Sequence, residues 1–321
     1  MSEQYTYAVA RIHAMEDALL SIQDLEKLLS CSDGKSALEA LSEMGYDCAD
    51  AKSADEVQHA ERERLWRLIS ELVDDMSVFN VFLYETDFHN LKAAIKLTVT
   101  HDKTDRVFID GGTVPYKKIA DAVENREYSE LPEFLRTAAE TAAGLLYENG
   151  DGGLCDVIID KAYLEMLKDE GKRSDSEFIR KYAELTVALT DIRIAARGCR
   201  LGKSAEFFGR ALAGCETLNV DLLGANAAKG FDELCEYLSS TDYAGAAETL
   251  AESYAAFEKW CDDRIMEEVR RQKHNYFTVA PIAAYLLAKE AELKAVGLIL
   301  TGKQNRLDDN IIKERLRELY V

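Results

Sequence analysis

Apolar residues recur along much of the chain at alternating steps of four and three, the spacing of a single buried stripe on a helix. Tyr84, Phe88, Leu91, Ile95 and Thr98 form one such stripe, and Leu185, Leu189, Ile192, Ala196 and Cys199 form a second. A third keeps Leu286, Leu293 and Leu300 but places Glu290 and Gly297 where the others carry bulk, which predicts a different packing there. Each stripe encloses the same polar, apolar, basic, apolar tetrad. The copies are Asn90-Leu91-Lys92-Ala93, Asp191-Ile192-Arg193-Ile194 and Glu292-Leu293-Lys294-Ala295, 101 residues apart at both steps.

A second marker interleaves with the first. Asp24-Leu25-Glu26-Lys27-Leu28-Leu29 returns as Glu130-Leu131-Pro132-Glu133-Phe134-Leu135 and as Glu233-Leu234-Cys235-Glu236-Tyr237-Leu238, with steps of 106 and 103. Solenoid repeats run about 20 to 50 residues, so a unit of this length is a small domain. Three helical units are predicted, at 1–105, 106–208 and 209–321, with the amphipathic segment 5–20 a candidate to complete the third. Each unit is expected to hold short helices followed by two long ones, with the repeat helix burying its stripe against the long helix before it. Helices are expected over 5–20, 24–30, 36–44 and 54–76, with Gly45 as a C′ residue. Asp110-Gly111-Gly112-Thr113-Val114-Pro115 is the clearest break. Beyond it come helices over 116–125 and 131–146, a flexible tip at 149–153 and an antiparallel pair over 154–168 and 177–200. Short helices broken by glycine fill 202–230, a second long pair spans 243–271 and 277–300, and a last helix spans 308–320. No Val/Ile/Thr alternation reads as a strand, so the fold class is all-α.

Composition narrows the functional classes. The chain of 321 residues carries 39 basic and 59 acidic residues, a net charge of -20. That balance argues against sequence-independent nucleic-acid binding, which needs a basic face, and against direct adhesion to anionic headgroups. The longest apolar run, 279–288, ends at Lys289 and falls well short of the ~18 residues of a membrane span. Arg11, Glu16 and Asp17 interrupt the N-terminal segment where a signal peptide would be apolar. A soluble, cytoplasmic chain is expected, one that can still sit on a membrane protein. The seven cysteines form no C-x-x-C and read as small core residues.

Candidate chemistry is sparse. Gly198-Cys199-Arg200-Leu201-Gly202-Lys203-Ser204 and the stretch from Gly297 to Gln304 resemble phosphate-binding loops, but the first is one residue short and the second lacks the Mg²⁺-ligating hydroxyl. Both end helices instead of opening them, so Gly202 and Gly302 are expected as C′ glycines, with Lys203 and Lys303 near the negative helix terminus. His13 with Asp17 and His59 with Glu63 have i, i+4 spacing, but no third ligand lies nearby, and His89, His101 and His274 are scattered. No nucleophile elbow or dinucleotide fingerprint is present. No catalytic, cofactor or metal residue is therefore assigned, although an acid/base pair hidden among the carboxylates would leave no sequence signature. The candidate functional residues are a basic stripe, Lys92, Lys96, Arg193, Arg197, Arg200 and Lys294. It is either a solvated face paired to local Asp/Glu or a partner-facing surface repeated in three units.

The order of these features resembles the C-subunit family of bacterial and archaeal V/A-type ATPases, related to the d subunit of vacuolar ATPases. The resemblance is carried by Tyr5-Thr6-Tyr7-Ala8-Val9-Ala10-Arg11 leading to Leu19-Leu20, the Asp24 to Leu29 marker, Asp87-Phe88-His89-Asn90-Leu91-Lys92-Ala93, Asp191-Ile192-Arg193 and the stretch from Ala283 to Gly302. It implies three similar bundles in a pseudo-threefold, funnel-like arrangement. It also implies a non-catalytic, cytoplasmic rotor component, peripheral on the membrane through its complex. Its partners would be the D and F subunits of the central stalk and the membrane proteolipid ring, in ATP-driven ion transport or ATP synthesis, with no cofactor. A soluble helical enzyme with an unlocated carboxylate site and a helical scaffold of another assembly are the competing readings.

Overall fold

The computed structural model describes residues 5–48, 51, 53–100, 104, 106–150 and 152–321, and among them there is no strand. His101, Asp151 in the expected tip and the expected boundary after 105 lie outside the described residues. The chain opens with α1 (Thr6–Glu16), α2 (Ile22–Ser30), α3 (Gly34–Glu43) and α4 (Ala54–Leu72). It continues through α5 (Tyr84–Thr100), α6 (Tyr116–Glu124), α7 (Glu133–Asn149), α8 (Gly152–Arg173) and α9 (Glu177–Arg200). Then follow α10 (Ala205–Ala211), α11 (Val220–Lys229), α12 (Phe231–Ser239), α13 (Ala244–Glu252), α14 (Tyr254–Arg270), α15 (Ala280–Gln304) and α16 (Asp309–Lys313).

Helix starts are set locally. Ser21 with Asp24 and Asp33 with Ser36 form reciprocal capping boxes at α2 and α3, and Ser53, Ser176 and Ser253 cap α4, α9 and α14. The Ser253 cap divides the long helix expected over 243–271 into α13 and α14. Pro281 opens α15, three residues later than expected, where its missing N–H costs nothing. The helix expected over 308–320 shrinks to the single turn of α16. The tail beyond it is held by side chains, with Arg317 donating to Asp262 at 2.8 Å and the Tyr320 hydroxyl to Glu16 at 2.7 Å.

Two compact units result, a split unit of 1–76 with 252–321 and an inserted unit of 77–251. In the inserted unit α5 packs on α6, α7 and α8, and α9 packs on α8, α10, α11 and α12. In the split unit α15 is the core element, packed on α1, α2, α3, α4, α14 and α16. The stripe residues Leu91, Ile192 and Leu293 are each fully buried, worth about 1.5–3 kcal/mol apiece. The second marker is buried as well, through Leu25 and Leu29, Leu131 and Leu135, and Leu234 and Leu238. Its helices pack on the repeat helices as α7 on α5, α12 on α9 and α2 on α15, so each marker meets the repeat helix that precedes it, counted around the chain. Stripe packing on the preceding long helix occurs for α9 on α8 and for α15 on α14, whereas α5 packs on the helices that follow it.

The third stripe packs differently, as Glu290 and Gly297 foretold. Arg62 of α4 grips Glu290 through two bonds of 2.8 and 3.0 Å. Gln58 donates to the Leu293 carbonyl at 2.8 Å, and a Cβ on Gly297 would lie 1.9 Å from the Gln58 Nε2. Glycine is what lets α4 approach α15 closely enough for that bond.

Candidate functional site

The polar residue that opens each tetrad faces inward. Asn90 accepts from the Ile109 N–H at 2.9 Å and donates to the Ile109 carbonyl at 2.8 Å. Asp191 accepts from the N–H groups of Ala213 and Gly214 at 3.0 and 2.9 Å. Glu292 accepts from the Leu20 N–H at 2.6 Å and from the Tyr46 hydroxyl. All three are at most 1% exposed. Each fastens the segment leading into a short helix that packs on the same core helix: α6 on α5, α11 on α9 and α2 on α15. The anchors thus satisfy loop backbone groups that would otherwise be left without partners, each worth about 1–3 kcal/mol.

The first copy has a second anchor. Asp87 accepts from Thr113 N–H and hydroxyl at 3.1 and 2.5 Å and from Val114 N–H at 3.0 Å. A Cβ on Gly112 would lie 2.2 Å from the Asp87 Oδ1, so the Gly111-Gly112 break is the point at which the loop closes onto that carboxylate. Burial raises the Asp87 pKa against these three donors, and it pushes Asp191 up to about 6 against the N–H groups of Ala213 and Gly214. Lys168 of α8 donates to the Ala213 and Gly214 carbonyls at 3.4 and 3.1 Å, so the same segment is held from both sides.

Around Glu292 the split unit buries a charged network. Lys289 reaches Glu292 at 2.6 Å and Glu61 at 3.5 Å and lies over the Tyr46 ring at 4.3 Å. Asp47 N–H donates to Glu61 at 3.2 Å. Burial first, then the Glu292 charge, drives the Tyr46 phenol well above its ordinary range, so it stays a donor. The network is tolerated because its charges are paired and hydrogen-bonded.

The basic positions fall into two groups. Lys92 and Lys96 on α5 are engaged by Asp160 and Asp156 of α8, at 2.5 and 2.8 Å. Arg193 is half-buried, while Arg197 and Arg200 lie exposed toward the C-terminal end of α9. Lys294 is exposed on α15 in the other unit. The inserted unit therefore carries five of these residues and the split unit one.

Both loops that resemble phosphate-binding sequences end helices, but in different ways. Gly202 is the left-handed C′ residue of α9 (φ 62°), with Lys203 N–H closing on the Gly198 carbonyl at 2.9 Å. Gly302 is not a C′ residue. It lies inside α15, buried against Ile312, and the left-handed position is taken by Arg306 (φ 55°), with Leu307 N–H closing on the Gly302 carbonyl at 2.9 Å. Lys303 is buried and paired with Asp309 at 2.6 Å, so it is not a solvated helix-end cation. His13 pairs with Glu16 at 2.9 Å rather than with Asp17, because Glu16 is the buried acid of that turn. His59 and Glu63 are an exposed pair at 3.6 Å. Among the described residues no group of three or more His, Cys, Asp or Glu is placed to hold a metal, and no helix is long and apolar enough to cross a membrane.

Comparison with known proteins gives a consistent result. Residues 8–315 match the family described as ATP synthase (C/AC39) subunit. The C subunit of the V-type sodium ATPase of Enterococcus hirae is 24% identical over 81% of this chain and 80% of its own. The C subunit of the A-type ATP synthase of Methanocaldococcus jannaschii is 26% identical over 99% of this chain and 86% of its own. That of Desulfurococcus is 25% identical over 98% and 91%.

Proposed function

The chain belongs to the ATP synthase (C/AC39) subunit family, and on that premise we propose that it is a non-catalytic rotor component. It links the central stalk, built from the D and F subunits, to the membrane proteolipid ring of a V/A-type ATPase. The observation that carries this reading is the family match across nearly the whole chain, from 8 to 315. The repetition of one inward polar anchor on three core helices, Asn90, Asp191 and Glu292, supports a body of three similar bundles in a pseudo-threefold, funnel-like arrangement. Packing of each marker helix on the repeat helix before it supports unit boundaries out of phase with the chain ends, with 5–20 joining the third unit.

In this reading the protein is held at the cytoplasmic face of the membrane by protein contacts, because a chain of net charge -20 has little electrostatic attraction to anionic lipid. Positive contacts to the stalk fall mainly to Arg197, Arg200 and Lys294, the exposed members of the basic stripe. The test is a binding measurement with the purified chain, titrated separately with the D–F stalk and with detergent-solubilised proteolipid ring from the same cell. Binding to both is expected; binding to neither overturns the reading.

A further inference from the structure

We propose that a cleft between α1 and α4 in the split unit is a docking pocket for an acidic segment of a partner polypeptide, a carboxylate side chain flanked by apolar residues. The proposal rests on the reading of this chain as one that works through protein contacts. The cleft has a volume of about 390 Å³, at the lower end of the range of built ligand sites and suited to one acidic side chain with an apolar neighbour. Its charged lining comprises Arg11, Arg64, Arg67 and Lys289 against Glu61 and Glu71, and with the Glu292 that Lys289 also pairs with, the excess is one cation. On a chain of net charge -20 that is a local reversal of sign, in a concavity that focuses its field.

The cations are not equally committed. Lys289 is bound into the buried network with Glu61 and Glu292. Arg64 contacts Glu61 at 3.4 Å and the Gly45 carbonyl at 3.2 Å. Arg11 reaches across to Glu71 at 3.3 Å, with side chains 41% and 52% exposed, a pair weak enough to exchange for an incoming carboxylate. Arg67 lines the cleft and is exposed, with no ion pair among the described residues. A planar guanidinium left open in a cleft is the group that takes a carboxylate through two parallel bonds. Glu61 and Glu71 restrict the guest to low charge, which disfavours a polyphosphate.

Met15, Met44, Leu65 and Leu68 supply apolar wall beside Tyr46 and Tyr285, and the methionines can adapt to an aliphatic guest. Tyr7, 71% exposed, stands one turn ahead of Arg11 on the same face of α1 and extends this surface beyond the cleft. A cationic pocket with an apolar margin matches an acidic residue carried in an apolar segment.

The test uses the full chain and fluorescence anisotropy with two labelled peptides, a Leu-Glu-Glu-Leu sequence and its Leu-Lys-Lys-Leu counterpart. The acidic peptide is expected to bind saturably and the lysine peptide not at all. Arg67→Glu should weaken the acidic peptide at least about tenfold with only a small fall in melting temperature, since Arg67 has no ion pair to lose and the new carboxylate meets only the exposed Glu63 and Glu71 one turn away. Lys117→Glu, an exposed cation in the other unit, should leave peptide affinity unchanged. The proposal is overturned by absence of saturable binding, by equal binding of both peptides, or by unchanged affinity in Arg67→Glu. Phosphatidylglycerol vesicles that bind in an Arg67-dependent way, with no peptide binding, would assign the cleft to lipid instead. A chain that binds the peptide but neither stalk nor ring would overturn the proposed function and leave the cleft assignment standing.

Discussion

Asp191 offers a stability effect whose sign and size follow from its surroundings. It is fully buried, and its carboxyl is raised from an ordinary 3.8 to about 6, burial being the largest cause. Between those values the folded protein holds a proton that the unfolded chain has released, so stability falls as pH rises through that window. A shift of this size corresponds to about 3 kcal/mol, fully lost above the folded-state value and recovered on acidification toward the unfolded one. Asp191→Asn removes the titration but supplies a single acceptor for the two N–H groups of Ala213 and Gly214, at a pH-independent cost of about 1–3 kcal/mol. The assay is denaturant unfolding of both proteins at about pH 4.5 and about pH 7.5, read as the difference between them so that other titrating groups cancel. Wild type should lose most of about 3 kcal/mol relative to the variant as pH rises. A difference that does not change with pH would refute the reasoning, because Asp191 would then be ionised at no cost in its buried seat.

Other outcomes follow from the same contacts. Gly112→Ala sets a Cβ against the Asp87 Oδ1 and should destabilise by about 1–3 kcal/mol in denaturant melts. Arg62→Ala, which loses a partly exposed ion pair with Glu290, should cost no more than about 1 kcal/mol, and Gly297→Ala, which expels Gln58, should cost more. Calorimetric titration with ATP should give no binding heat, because Lys203 follows a helix end and Lys303 is committed to Asp309. Micromolar binding lost in Lys203→Ala or Lys303→Ala would contradict that. Joint reversal of Arg197, Arg200 and Lys294 to Glu should slow stalk association and change its dependence on salt, with a modest fall in melting temperature because Arg197 and Arg200 occupy the last turn of α9.

Much of the fold can be read from the chain because the relevant signal is local. A stripe at helical spacing identified Leu91, Ile192 and Leu293 as core, and all three are fully buried. The bulk missing at Glu290 and Gly297 foretold a different third packing, which Arg62 and Gln58 of α4 supply. What stayed hidden depends on distant partners. The polar residue of each tetrad reads in the sequence only as one member of a repeated pattern, since the backbone it grips lies 19 residues away for Asn90 and 272 for Glu292. The packing of α2 on α15 was hidden for the same reason, because the two lie near opposite ends of the sequence. At Ser253 the signal was local but weak, a single capping side chain that ends one helix and starts the next. The basic stripe was legible as residues, but spacing alone could not reveal that Asp156 and Asp160 had already taken Lys92 and Lys96.

The most direct test of the proposed role is ATP-driven ion pumping by the complex purified from cells that lack this chain, reconstituted in vesicles with and without the purified protein added back. Without it, the head should hydrolyse ATP with no ion uptake, and adding the chain should restore uptake in proportion to the amount bound. Full pumping in its absence, or hydrolysis that stays uncoupled after stoichiometric rebinding, would contradict a role in joining the stalk to the ring.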